Sequence, residues 1–417
     1  MSHIFVWVIA AGTILFILVR PGQIAEAVWA VSGALLLLLT HLISPREALS
    51  AVARGADVYL FLTGMMILAE LARLEGFFDW IAVFAVEHAK GSQARLFAIV
   101  YLVGTAVTIF LSNDATAVVL TPAVLAALKK ARANPLPYLF ICAFIANAAS
   151  FVLPISNPAN LVVYGSKMPP LAIWFKSFGI PSLVAIATTF AVLRFVARKE
   201  LIARIETGVD RVKLSPAGKR AAYGIIGAGI ALIFASAFNV DLGLPTFLAA
   251  IAAAVLVTFK DRNAPLSIVK DIAWSVLPLV AGLFVLVAAV NGAGALLLSK
   301  EALRRCAQEG PLWGSLLAAF GVAGLSNIAN NLPVGLIAAS AVHNAAVSNT
   351  IRNAVLIGVD LGPNLSVTGS LATILWLVAL RRDGEDVSVA GFLRYGLLVM
   401  PPALALSILA SFLAASL

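Results

Sequence analysis

The 417-residue chain is short of charge. Asp, Glu, Lys and Arg make up 12% of it, against about 25% in soluble domains. Hydrophobic residues are 61% and the mean hydropathy is +1.01, which excludes a water-soluble core. There are two cysteines, Cys142 and Cys306, far apart and outside any Cys-x-x-Cys, so neither a disulfide framework nor a cysteine metal centre is available. The four histidines, His3, His41, His88 and His343, show no ligand spacing. HExxH, GxSxG and Walker A motifs are missing, so the sequence gives no support to a metalloprotease, a nucleophile-elbow hydrolase or a self-contained ATPase. No hydrophilic stretch is long enough to hide a soluble catalytic domain. No cofactor and no metal are expected.

What is present is a succession of apolar segments. Several reach the roughly 20 residues that a membrane span needs. Six are too short: 77–88, 115–128, 158–165, 293–304, 332–343 and 352–361. Short apolar pieces broken by Gly, Pro and Asn point to re-entrant hairpins or discontinuous helices, tolerated at depth only where they are buried in protein or line a cavity. Residues 4–19 have the length of a signal sequence but no basic flank, and are expected to remain as the first span. The net charge of +9 sits in short loops, as the positive-inside rule expects, and does not indicate nucleic-acid binding. Arg194, Arg198, Lys199, Arg204, Arg211, Lys213, Lys219 and Arg220 face only Glu200, Glu206 and Asp210. This basic stretch is expected in the cytoplasm, together with Lys129, Lys130, Arg132, Lys260, Arg262 and Lys270. It divides the chain into a first repeat (1–197), a linker (198–220) and a second repeat (221–417).

The division rests on an internal repeat. Thr63-Gly64-Met65 has a counterpart in Ala281-Gly282-Leu283, Ser112-Asn113 in Ser326-Asn327, and Ser156-Asn157-Pro158 in Thr368-Gly369-Ser370. The order is kept while the offsets drift little. Paired halves, each with a broken site segment, are the signature of an inverted-repeat secondary transporter with a midplane site. The expected fold is therefore an all-α polytopic membrane protein built from two inverted repeats with re-entrant hairpins and broken helices. The seven tryptophans, Trp7, Trp29, Trp80, Trp174, Trp274, Trp313 and Trp376, are expected mostly as interfacial anchors.

Four polar segments are expected to converge. They are Ser112-Asn113-Asp114-Ala115-Thr116; Asn147 to Ser150 with Ser156-Asn157-Pro158-Ala159-Asn160; Ser326-Asn327 with Asn330-Asn331; and Asp360 to Asn364 with Thr368-Gly369-Ser370 and Thr373. Pro154, Pro158 and Gly362-Pro363 interrupt helix. Broken helices leave N–H groups free at their starts, and Asn and Ser both donate and accept, which suits a neutral polyhydroxyl solute. Interhelical hydrogen bonding is the other reading of the same residues. Substrate contacts are expected from Ser112, Asn113, Thr116, Asn147, Ser156, Asn157, Asn160, Ser326, Asn327, Asn330, Asn331, Asn364, Thr368, Ser370 and Thr373. Asp114 and Asp360 are the ionisable candidates. A charge at membrane depth costs about 2.5–3.5 kcal/mol, and such residues are by default functional. A carboxylate there suits proton exchange, while helix capping is the alternative for each.

The segments Thr108 to Pro122, Phe144 to Leu161 and Gly358 to Thr373 resemble the hallmarks of the ArsB-type arsenite efflux pump, a member of the ion transporter superfamily. The resemblance covers essentially the whole chain. It implies an inner-membrane antiporter that exports arsenous and antimonous acid in exchange for protons, with a possible elevator-type motion. It also implies that an ArsA-type ATPase can dock on the cytoplasmic face as a partner. Trivalent arsenic favours three thiolates, which two cysteines cannot supply, so an oxygen-and-amide site for the hydrated neutral acid is expected. Cys142 is expected to be buried packing. The nearest rival is a sodium-coupled carboxylate symporter of the same superfamily. Against it stand the carboxylate of Asp114 and the lack of Arg or Lys in the four segments. A more distant rival, an intramembrane enzyme, lacks any nucleophile–base pair or metal cluster.

Overall fold

The computed structural model describes residues 2–165, 168–202, 204–206, 213–259, 264–345 and 347–415. Asp210, Arg211, Lys260 and Arg262 lie outside the described residues. The described chain is all-helical. Six helices are long and apolar enough to cross a membrane: Gln93–Phe110, Leu171–Ile202, Pro216–Ala237, Val276–Gln308, Pro311–Ala329 and Val389–Ala415. The pair Pro45–Arg54 and Ala56–Leu74, bent by 46°, makes a seventh span when taken together. This is a multi-pass membrane protein. The helix Pro216–Ala237 starts within the 198–220 segment, so the last residues of that segment are helical.

The succession of elements occurs twice. Gln93–Phe110 is followed by a break and a helical run from Asn113 to Lys130. Pro311–Ala329 is likewise followed by a break and the helix Asn331–Asn344. Leu136–Ala148 leads through a 3₁₀ turn, Pro154–Ser156, into Pro158–Tyr164. Asn349–Leu361 leads through Val367–Gly369 into Leu371–Arg382. The long helices Leu171–Val196 and Val389–Ala415, each with proline inside, pack against each other.

Local sequence explains the breaks. Ser112 has φ 136° and Asn330 has φ 67°, values that ordinary helix cannot continue through and that cost about 1–3 kcal/mol in a non-glycine residue. Pro154, Pro158 and Pro363 lack the N–H that would extend the preceding helix. The second break lies one helical turn later than the Leu-Ser-Asn repeat places it. Ser326 and Asn327 are still inside Pro311–Ala329, because nothing there stops the helix, and the chain turns at Asn330.

Small residues bring the spans together. Gly358 and Gly362, four apart on one face, lie against Ala319 and Ala323, four apart on the facing helix. This is close small-residue packing of the kind that joins helices in lipid. Two tryptophans expected at the interface are fully buried instead. Trp174 donates to the carbonyls of Phe151 and Val152, and Trp376 to that of Leu139. Trp174 reaches carbonyls freed where a helix ends and Trp376 a carbonyl in the first turn of that same helix, which gives each polar tip a partner away from the lipid surface. Cys142 is buried among apolar side chains and makes no disulfide.

Ionic contacts gather the basic loops at one end. Arg73 pairs with Glu70 and with Asp271, Lys129 with Glu385, and Arg132 with Glu206. Lys129 is half exposed, and exposed pairs contribute little. Lys129→Ala is therefore expected to change stability by less than about 1 kcal/mol, measured by thermal melting in detergent.

Candidate functional site

The four broken segments meet at the centre of the molecule. A cavity of about 20 Å³ there is lined by Asn113, Asp114, Asn157, Pro158, Asn331, Leu332, Ser370, Leu371 and Ala372, with Leu62, Val276 and Val280 from two unbroken helices. Four helices start at its wall. Each is capped by a side chain: Ser112 accepts from the N–H of Ala115, Asn157 from Ala159, Asn330 from Leu332, and Ser370 from Thr373. The caps leave other first-turn N–H groups without an intrahelical acceptor, facing the same space. The partial positive charge of helix starts favours oxygen-bearing groups there.

Among the lining residues Asp114 is the one ionisable group. It is half-buried, whereas Asn113, Asn157, Asn331 and Ser370 are each almost wholly buried. The side-chain oxygen Oδ1 of Asn113 is buried and has no hydrogen-bond partner among the described residues. A buried amide oxygen left in this way costs about 1–3 kcal/mol, so it marks a place for a donor. A volume of about 20 Å³ accommodates one water. The site in this conformation is closed around a space smaller than a trihydroxide.

Behind the cavity wall the two halves are cross-linked. Asn157 donates to Asp360 Oδ1 at 2.9 Å, and Ser370 donates to Asn147 Oδ1 at 3.4 Å. Asn147 also donates to Asn364 Oδ1 at 2.9 Å, and Asn364 returns a bond to the carbonyl of Phe144 at 3.0 Å. Asp360 is fully buried, off the cavity, with Oδ2 unpartnered among the described residues. Asn160 and Thr373 play matching parts. Asn160 donates to the carbonyls of Ser150, Leu153 and Pro154, and Thr373 to those of Val367 and Ser370. Each pins the loop that precedes its own helix.

The remaining candidates hold the breaks rather than the cavity. Ser156 donates to the carbonyl of Ile109 at 3.0 Å. Thr116 Oγ1 lies 2.8 Å from Thr108 Oγ1, turned toward the preceding helix. Asn327 donates to the carbonyls of Ala323 and Gly362 and accepts from Ser366, while Thr368 donates to the Asn327 carbonyl. Ser326 is buried with its hydroxyl unpartnered among the described residues. Asn330 caps its helix and borders a small apolar pocket beside the site. The structure thus brings Asn113, Asp114, Asn157, Asn331 and Ser370 to the cavity and places the others one layer behind.

Sequence patterns missed the apolar part of the wall. Leu62 and Val280 each stand two residues before a glycine of the repeated pair Gly64 and Gly282. That spacing is the signal that could have found them. Larger crevices open on either side. One of about 470 Å³ at the basic end runs past Arg73, Asp79, Lys129 and Asp383 to Val118, one helical turn from Asp114. Another of about 610 Å³ on the far side is bordered by Arg54, Asp57, Asp241 and His343 and reaches Leu161. Among the described residues no group of three His, Cys, Asp or Glu is placed to hold a metal.

A family model described as Citrate transporter matches residues 13–360. The chain is 27% identical over 423 residues to the arsenical pump membrane protein of Escherichia coli, covering 94% of each. It is 25% identical over 427 residues to a putative arsenical pump membrane protein of Bacillus subtilis, covering 93% of this chain and 94% of that one. Among solved structures, the YdaH transporter of Alcanivorax borkumensis matches with a TM-score of 0.56 at 15% identity, over 88% of this chain and 87% of that one. This last likeness concerns the fold alone.

Proposed function

The chain belongs to the citrate transporter family of membrane transporters, and from that premise we propose that it is a proton-coupled antiporter exporting arsenous and antimonous acid across the inner membrane. One observation carries this choice. The central cavity presents three amides, one hydroxyl and helix starts together with a single carboxylate, Asp114, and no cation. Neutral trihydroxides can exchange hydrogen bonds with Asn113, Asn157, Asn331 and Ser370, each of which donates and accepts. A tricarboxylate brings several negative charges toward Asp114 and finds no Arg fork to pair with. The two arsenical pump relatives agree with the first substrate class.

Asp114 is the group to which we assign proton exchange, because it touches the cavity and stands one turn from the crevice at the basic end. Asp360 is its buried companion, linked to the cavity wall through Asn157. The positive-inside rule places the basic end in the cytoplasm, so the crevice at Val118 is the inner approach. We read the two successions of elements as inverted repeats, with Asn113 to Lys130 and Asn331 to Asn344 as the descending arms of re-entrant hairpins. In this scheme the polar cradle slides past the unbroken helices that carry Leu62, Val276 and Val280. The site is reached first from one side and then from the other.

The test is exchange in proteoliposomes holding the purified full-length protein. A pH gradient without sodium is expected to drive arsenite movement and to leave citrate where it is. Citrate movement that requires sodium would place the protein on the carboxylate symporter branch and overturn the proposal.

A further inference from the structure

We infer that Leu62 and Val280 set the size limit of the central site and thereby its preference among trihydroxides of different central-atom radius. The inference rests on the proposed function. It starts from the composition of the cavity wall. Every polar lining residue comes from the broken segments, and their positions correspond across the two halves: Asn113 with Asn331, and Asn157 with Ser370. Leu62 and Val280 correspond in the same way, 218 residues apart like Asn113 and Asn331. They alone of the corresponding pairs stand on unbroken helices, Ala56–Leu74 and Val276–Val290. The wall is therefore a cradle of broken segments that carries all the polar groups, closed from the unbroken helices by Leu62 of the first half and by Val280, with Val276 beside it, of the second. Leu62 and Val280 are almost wholly buried, at 4% and 2% exposure.

A second observation fixes where those side chains stand. Two residues after each comes a glycine packed too tightly to take a Cβ. At Gly64 an added Cβ falls 2.8 Å from the backbone of Thr246 and Phe247, and at Gly282 2.7 Å from the Ala30 carbonyl carbon. The backbone carrying Leu62 is locked against Gly243–Thr258, and that carrying Val280 against Glu26–Leu39. Interiors packed in this way do not retreat to admit a larger guest. The volume of the side chain at 62 or 280 then passes directly into the volume left above the cradle. The closed site keeps about 20 Å³, room for one water, so substrate enters only when the cradle shifts against these helices, and the side chains at 62 and 280 set how much room that shift leaves.

The substrates provide the ruler. Antimonous acid is the larger of the two trihydroxides and presents the same hydroxyls, so the ratio of their transport rates reports size and is independent of how much active protein each vesicle holds. Initial rates for arsenite and antimonite are measured in proteoliposomes of the full-length protein carrying Val280→Ala, Val280→Leu or Leu62→Val. Loss or gain of a methyl group in an apolar pocket changes selection by about tenfold or more. Val280→Ala and Leu62→Val are expected to raise the antimonite-to-arsenite ratio, and Val280→Leu to lower it, each by about threefold or more. Opposite movement in the two Val280 variants is the mark of a size limit, since general damage moves both ratios the same way or neither. Wild-type protein that moves neither acid overturns the proposed function. Wild-type transport with ratios unchanged in every variant that transports, or with no variant transporting, overturns this inference alone.

Discussion

Asp114→Asn is expected to abolish accumulation driven by a pH gradient. One proton exchanged per cycle across a gradient of one pH unit supplies about 1.4 kcal/mol, enough for about tenfold accumulation. Without a titratable group on the cavity wall that coupling is lost, and the substrate ratio across the vesicle falls to unity. The amide replaces the carboxylate nearly atom for atom, and removing a charge from membrane depth lowers the insertion cost, so folding is not the expected casualty. The check is arsenite accumulation at two external pH values with and without the gradient. Asp114→Asn protein that still concentrates arsenite with wild-type pH dependence would falsify the assignment. Asp360→Asn is the informative companion. Its Oδ1 can still accept the bond from Asn157, and it does not touch the cavity, so a smaller loss is expected.

Gly362→Val is expected to prevent stable folding. An added Cβ falls 2.6 Å from Ala323 Cα and 2.7 Å from Ala323 Cβ, atoms that belong to a helix and cannot swing aside. Overpacking of this kind costs about 1–3 kcal/mol or more. It would also push apart the helices that bring Asn364 to Asn147 and Asp360 to Asn157, so the loss spreads to the cross-links between the halves. Gly227, whose added Cβ meets nothing within 4 Å, provides the control. Gly227→Val is expected to stay within about 0.5 kcal/mol of wild type. Yield and thermal melting in detergent distinguish the two, and equal behaviour would mean that the helix pair tolerates separation.

The polar clusters were legible in the chain because lipid makes them expensive. Asn113-Asp114, Asn157-Pro158, Asn330-Asn331 and Ser370 stand out against apolar runs, and a polar residue at that depth needs a partner or a purpose. Their residue types were legible too: Asn, Ser and one Asp, with no Arg or Lys among them. The division of labour among them was not. Asn160 and Thr373 look like Asn157 and Ser370 in sequence, yet they bind loop carbonyls while the latter face the cavity. Direction around a helix start changes by about 100° per residue, and a break resets it in a way that composition does not record. The Leu-Ser-Asn echo misled for the same reason: identical letters at 111–113 and 325–327 form the break in one half and lie within continuing helix in the other.

The sequence by itself determined the membrane environment, that short apolar pieces would be broken helices, and the residue types they offer to a solute, because each follows from the cost of burying polar groups in lipid. Tertiary structure decided which of those groups share a cavity, that Asp114 faces it while Asp360 stands behind Asn157, and that Leu62, Val276 and Val280 complete its wall. Those outcomes depend on contacts between residues about two hundred positions apart, made where glycine and alanine let helices meet. A linear pattern carries the ingredients of such contacts and leaves their geometry to the packing.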